Sequence, residues 1–201
     1  MSKFQRFSNR IREYSEMTDV WSLSRRYAVI GAFDGVLTIL GMVVGAYFAV
    51  IQTGHLETLD TPLLVTAGVA AAFALGISSG WGAYEAEIAE NIVEFKEIEH
   101  MMVRELNGTI RDQAKRFATL VSSFVHGMAP IPAGIIPLIP LVILEGLDAL
   151  YMSVILSMGV LFLIGLFLGY VSKRNLLYCG FRMILAGIIT AFVSILLGAS
   201  H

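Results

Sequence analysis

The chain has 201 residues, 56% of them hydrophobic and 15% charged, with a mean hydropathy of +0.73; this is too apolar for a soluble domain of its size and reads as an all-α, polytopic membrane protein. The net charge of −2 decides nothing by itself, and the expected partner is the lipid bilayer, with no nucleic acid. The single cysteine, Cys179, excludes an intrachain disulfide and any CxxC metal site, and reads as ordinary packing.

Residues 1–26 form a polar N-terminal segment in which Phe4, Phe7, Ile11, Tyr14 and Met17 recur at three- and four-residue spacing among Arg6, Arg10 and Arg12. That pattern suits an amphipathic helix lying on the inner membrane surface, or one packed on the cytoplasmic part of the same protein. No apolar segment has the short core and small-residue cleavage site of a secretory signal, so no processing is expected.

Residues 27–51 are long enough to cross a hydrocarbon core of about 30 Å, and they contain Asp34, the only acidic side chain within any of the long apolar segments. A carboxylate at the centre of an isolated span costs about 2.5 to 3.5 kcal/mol, so it marks a site on an ion or proton path. Residues 62–83 form the second span. Glycine pairs at small-xxx-small spacing, Gly41 and Gly45, Gly76 and Gly80, and Gly165 and Gly169, permit close helix approach in lipid.

Residues 84–116 form a cytoplasmic helical connector, its first helix ending near Asn107 and Gly108. Glu87, Glu90, Glu94, Glu97, Met101 and Glu105 fall within an arc of about 80° on that helix, beside an apolar face of Ile88, Ile92, Phe95, Met102 and Leu106. Like charges three or four residues apart destabilise a helix by roughly 0.2 to 0.5 kcal/mol per pair, and the nearby Lys96 and Arg104 cannot neutralise the row. Either the row is a solvated acidic face or it binds a cation. With Met101 and the Glu97-x-x-His100 pair, its donors suit Fe(II), Mn(II), Co(II) or Zn(II). Thr109 and Asp112 resemble a capping box opening the next helix.

Four of the five prolines, Pro130, Pro132, Pro137 and Pro140, crowd into the third span, about 117–144. Each removes a backbone donor, so this span should be kinked or interrupted. His126 shares a helical stretch with Ser122 and Ser123. No nucleophile elbow or zinc-protease motif accompanies it, so His126 is either packed and hydrogen-bonded or turned toward a pathway, and no enzyme is expected. Spans four and five, 148–171 and 176–198, complete the three-span region 117–201, which follows the two-span region 27–83.

All 14 Lys and Arg residues fall before span one, between spans two and three, or at the turn between spans four and five. The opposite loops carry Glu57, Asp60, Glu145 and Asp148 without a base. The positive-inside rule therefore puts the N-terminus in the cytoplasm and the C-terminus outside. Trp21, Tyr27, Trp81, Tyr84, Tyr170 and Tyr178 lie near the inner ends of spans and read as interfacial anchors.

Three stretches together resemble the vacuolar iron transporter family: FDGVLTILGMVVGA around Asp34, GISSGWGAYEAE at the end of span two, and GIIPLIPLVIL in span three. The resemblance covers nearly the whole chain after residue 25. It implies a homodimer with the first spans at the interface, moving Fe2+ and related divalent ions out of the cytoplasm in exchange for protons. It also makes Asp34 the metal or proton site in the membrane, and the row of Glu87, Glu90, Glu94 and Glu97 the counterpart of the family's cytoplasmic metal-binding carboxylates. The chain departs from the pattern in span two, where the family commonly has a methionine and a Gly-Glu-Tyr; this chain has Ser79 and Gly82-Ala83-Tyr84. Glu85, Met42 or Met128 would have to substitute. The connector is also shorter than the family's three-helix version.

The expected function is a proton-coupled divalent metal exporter, with Asp34, Met42, Ser79, His126 and Met128 on the pathway. Metal contacts fall to Asp34, Glu85, Glu87, Glu90, Glu94, Glu97, His100 and Met101. The alternative is a non-transporting membrane protein that binds metal or a partner through its acidic helix.

Overall fold

The computed structural model describes the backbone of residues 3–53, 59–102 and 109–198, and side chains there except at 3–10, 53, 101 and 102. Among the described residues seven helices run: α1 Lys3–Thr18, α2 Val20–Thr53, α3 Thr61–Met102, α4 Ile110–Met128, α5 Pro130–Ile143, α6 Gly146–Val171 and α7 Leu176–Gly198. The described residues contain no strand, and five helical stretches are long and apolar enough to cross a membrane. The all-α polytopic expectation holds.

The helix boundaries have local causes. Asp19 takes a left-handed φ of 47° between α1 and α2, a conformation Asp tolerates because its short carboxylate interacts with nearby backbone. Asp60 accepts the Leu63 N–H at 2.9 Å and starts α3, with Pro62 in the first turn where no donor is needed. At 42 residues, α3 is about 63 Å long at 1.5 Å per residue, about twice the thickness of a hydrocarbon core, and its second half carries the carboxylates. The expected helix end at Asn107 and Gly108 lies outside the described residues, as do Glu57, Arg104, Glu105 and Leu106. The Thr109 hydroxyl accepts the Asp112 N–H at 3.4 Å, and the Asp112 carboxylate takes the Arg116 guanidinium at 2.9 Å.

The third span is interrupted as its prolines require: α4 ends at Met128, the chain bends at Ala129, and α5 restarts on Pro130. Between α6 and α7, Lys173 sits at a φ of 53° and the Arg174 N–H reaches back to the Gly169 carbonyl at 3.0 Å, closing the last turn of α6.

The chain divides into two compact units. The first contains residues 1–28 and 77–128. There α1 docks on α4: the Tyr14 hydroxyl donates to Gln113 Oε1 at 2.8 Å and its ring lies 6.0 Å from Phe117. The second contains residues 29–76 and 129–201. Its core joins Ile39, Leu40, Val43, Val44 and Tyr47 of α2 to Leu64, Leu138, Leu141 and Leu150. Gly41 and Gly45 face Ser194, and Gly165 lies against Cys179 and Gly180, so these glycine positions do let helices close on one another. Cys179 is buried in that contact.

Candidate metal pathway

In the second unit, Asp34 is half-buried midway along α2, and the Thr38 hydroxyl donates to its backbone carbonyl at 2.8 Å. The next residue, Gly35, is fully buried. A Cβ there would stand 2.4 Å from the Pro130 carbonyl oxygen and 2.8 Å from Pro130 Cα. Gly134, one turn along α5, is similarly tight, its missing Cβ falling 3.3 Å from the Gly35 carbonyl and 3.1 Å from Ile39. The Asp-Gly step is thus the place where α2 lies backbone to backbone on the first turn of the broken helix. Met42 turns its terminal methyl into the core, where a Cβ at Gly68 would meet it and Leu138.

Pro137 and Pro140 lie inside α5 and leave carbonyls one turn back without their usual donors. The buried Ser153 hydroxyl donates to the Pro137 carbonyl at 2.7 Å, and Ser157 in turn to the Ser153 carbonyl at 2.8 Å. One buried hydroxyl of α6 thus bonds to the proline-rich helix, while the Ser157 bond closes within α6.

In the first unit, Glu87, Glu90 and Glu94 line one cavity of about 340 Å³ with Asn91, Asp19, Arg26 and Lys115. Among the described residues, bases of α4 answer the row at Glu94. Lys115 Nζ lies 2.6 Å from Glu94 Oε2, and Arg111 3.1 Å from Oε1. The Lys115 ammonium, seconded by Arg111, holds the Glu94 carboxyl below the usual carboxylate range. Glu85, Glu90, Glu97 and His100 are exposed, and the Met101 side chain lies outside the described part. Among the described residues, no three His, Cys, Asp or Glu side chains are grouped to hold a metal ion.

Glu87 has another partner. The Tyr27 hydroxyl donates to its Oε1 at 2.7 Å, the Tyr27 ring lies 4.9 Å from the His126 ring, and the Tyr27 carbonyl meets His126 Nδ1 at 2.9 Å. A carbonyl only accepts, so Nδ1 carries the proton, and in the neutral imidazole Nε2 keeps the lone pair. His126 is 9% exposed. Residue spacing had made Tyr27 an interfacial anchor, a role fitting the exposed Trp21, Trp81, Tyr170 and Tyr178, whereas Tyr27 turns inward. No local pattern announces this, because Glu87 and His126 stand 60 and 99 residues away.

Around Tyr27 and His126 runs a buried polar seam. Thr119, Ser122, Ser123 and His126 share one face of α4, and Ser24 precedes Tyr27 by one turn of α2. Asn91 donates to the Thr119 hydroxyl at 3.0 Å, and Ser122 to the Thr119 carbonyl at 3.2 Å. The Ser24 and Ser123 hydroxyls, each 5% exposed, have no hydrogen-bond partner. Of the remaining expected residues, Ser79 is half-buried on α3 and Met128 is exposed at the end of α4.

Residues 85–199 match the sequence profile of the VIT family, a span that takes in the carboxylate row, the broken third span and the last two spans. The chain is also 27% identical over 173 residues to an uncharacterized protein of Methanocaldococcus jannaschii, covering 84% of this chain and 85% of that one. With more than half its length matched, including the proline-interrupted helix, the chain belongs to the VIT family of membrane metal-ion transporters.

Proposed function

We propose that the protein is a proton-coupled transporter that exports divalent metal, Fe2+ or Mn2+, from the cytoplasm. The observation that carries this reading is the contact of the Asp34-Gly35 step with Pro130 at the start of α5. It seats the residue after Asp34 against the first turn of α5, and an acidic residue next to such an interrupted helix start would suit a cation site in lipid.

Metal would be gathered at the second half of α3 by Glu87, Glu90, Glu94 and Glu97, with Glu85, His100 and Met101 flanking. It would pass Ser79, His126 and Met128, reach Asp34 and Met42, and leave on the far side as protons return. The N-terminus is cytoplasmic in this reading, and the working unit is a homodimer. Co2+ and Zn2+ suit the same donors.

Ser79 and Ala83, standing where the family commonly has methionine and glutamate, favour a second reading: metal binding at the acidic helix without flux. Proteoliposomes separate the two. Uptake of Mn2+ or Fe2+ driven by a pH gradient is expected, and tight calorimetric binding with no flux would select the second reading.

A further inference from the structure

The buried seam in the first unit has no use as apolar packing. Thr119, Ser122, Ser123 and His126 are all at most 9% exposed on one face of α4, and Ser24, equally buried, lies one turn of α2 before Tyr27, whose carbonyl His126 meets. Two of these hydroxyls lack any partner. A buried unpaired hydroxyl costs about 1 to 3 kcal/mol unless a bound water satisfies it. The seam also has two defined ends. At one, the Asn91 side chain joins Thr119 to the cavity lined by Glu87, Glu90 and Glu94; at the other lies His126, whose Nδ1 is fixed on the Tyr27 carbonyl.

We propose that the Ser24, Thr119, Ser122 and Ser123 seam is a water-filled conduit leading from the acidic cavity to His126, and that Tyr27 is its stopper. The Tyr27 hydroxyl, bonded to Glu87, fixes the ring against His126. A cation arriving at Glu87 competes for the oxygen that Tyr27 occupies, and breaking that bond releases the ring. The conduit's role as the inner mouth of the pathway rests on the transport reading; its wetness does not.

Thiol labelling tests it. In a Cys179→Ser background, Ser123→Cys protein in liposomes is exposed to the small cationic reagent 2-aminoethyl methanethiosulfonate. Labelling is expected, and Tyr27→Phe, which keeps the ring and loses the Glu87 bond, should speed it by about tenfold, the weight of one charge-assisted hydrogen bond. A correctly folded protein that stays unlabelled in both backgrounds overturns the conduit, and equal rates overturn the stopper. Ser24→Ala and Ser123→Ala give an independent sign. If water satisfies these hydroxyls, their removal lowers the thermal midpoint; a rise in both means dry, orphaned groups and overturns the proposal. Mn2+ flux measured in the same liposomes reports separately on transport.

Discussion

The backbone of Gly35 rests on the carbonyl of Pro130, so close that a single added carbon would stand 2.4 Å from the oxygen. The glycine of the Asp-Gly step is therefore a packing requirement, and it places the acidic residue before it at the foot of the broken helix. Replacing a helical glycine by alanine ordinarily gains up to about 1 kcal/mol of helix propensity. At position 35 overpacking against rigid backbone outweighs that gain, and Gly35→Ala should destabilise by at least about 2 kcal/mol. Gly82, with nothing within 4 Å, is the control: Gly82→Ala should leave the melting temperature in detergent unchanged or raised. A tolerated Gly35→Ala would mean that the two helices are not locked there.

Asp34→Asn keeps the size of the side chain and removes its charge. Proteoliposomes carrying this variant should take up Mn2+ under a pH gradient at less than about a hundredth of the wild-type rate, with an unchanged elution profile. Unchanged uptake would remove the carboxylate from the mechanism.

Glu94 links pH to the docking of α3 on α4. Its folded pKa lies below the ordinary value of 4.5 because Lys115 and Arg111 stabilise the anion. A depressed carboxylate pKa contributes stability above the unfolded pKa, and the contribution is lost as pH falls through the folded value. The loss should therefore begin near pH 4.5 and continue below it. The carboxylate is 35% exposed, so screening keeps the effect below about 1 kcal/mol. Lys115→Met should flatten this acid limb of the stability profile, measured by thermal unfolding between pH 3 and 7, roughly the range over which a carboxylate titrates.

Ser153→Ala removes the hydroxyl that donates to the Pro137 carbonyl. Interhelical hydrogen bonds in membrane proteins are worth about 0.6 kcal/mol on average, and a loss of this order is expected in detergent unfolding. An effect above about 2 kcal/mol would show that the hydroxyl does more than accompany the proline helix.

Much of this architecture was legible in residue order because hydropathy and proline content act locally. Five apolar runs gave five membrane-length helices, and Pro130 and Pro132 announced the break that the chain makes at Ala129. Glycine spacing found the close contacts of Gly41, Gly45 and Gly165 but not what they meet: Ser194 for the first two, Cys179 and Gly180 for the third. A glycine permits contact without specifying a partner.

The carboxylate row shows the limit. Its face on α3 follows from helical periodicity, but its counter-charges are supplied by Lys115 and Arg111, 21 and 17 residues beyond Glu94 and on another helix. Tyr27 reads as a boundary aromatic until folding sets it between Glu87 and His126. Helix period, span length and chain breaks depend on forces acting over a few residues, so the sequence by itself determined them. Ion pairs and hydrogen bonds act over about 3 Å in space at any separation along the chain, so only the tertiary structure decided which polar groups are paired and which, like Ser24 and Ser123, are buried without a partner.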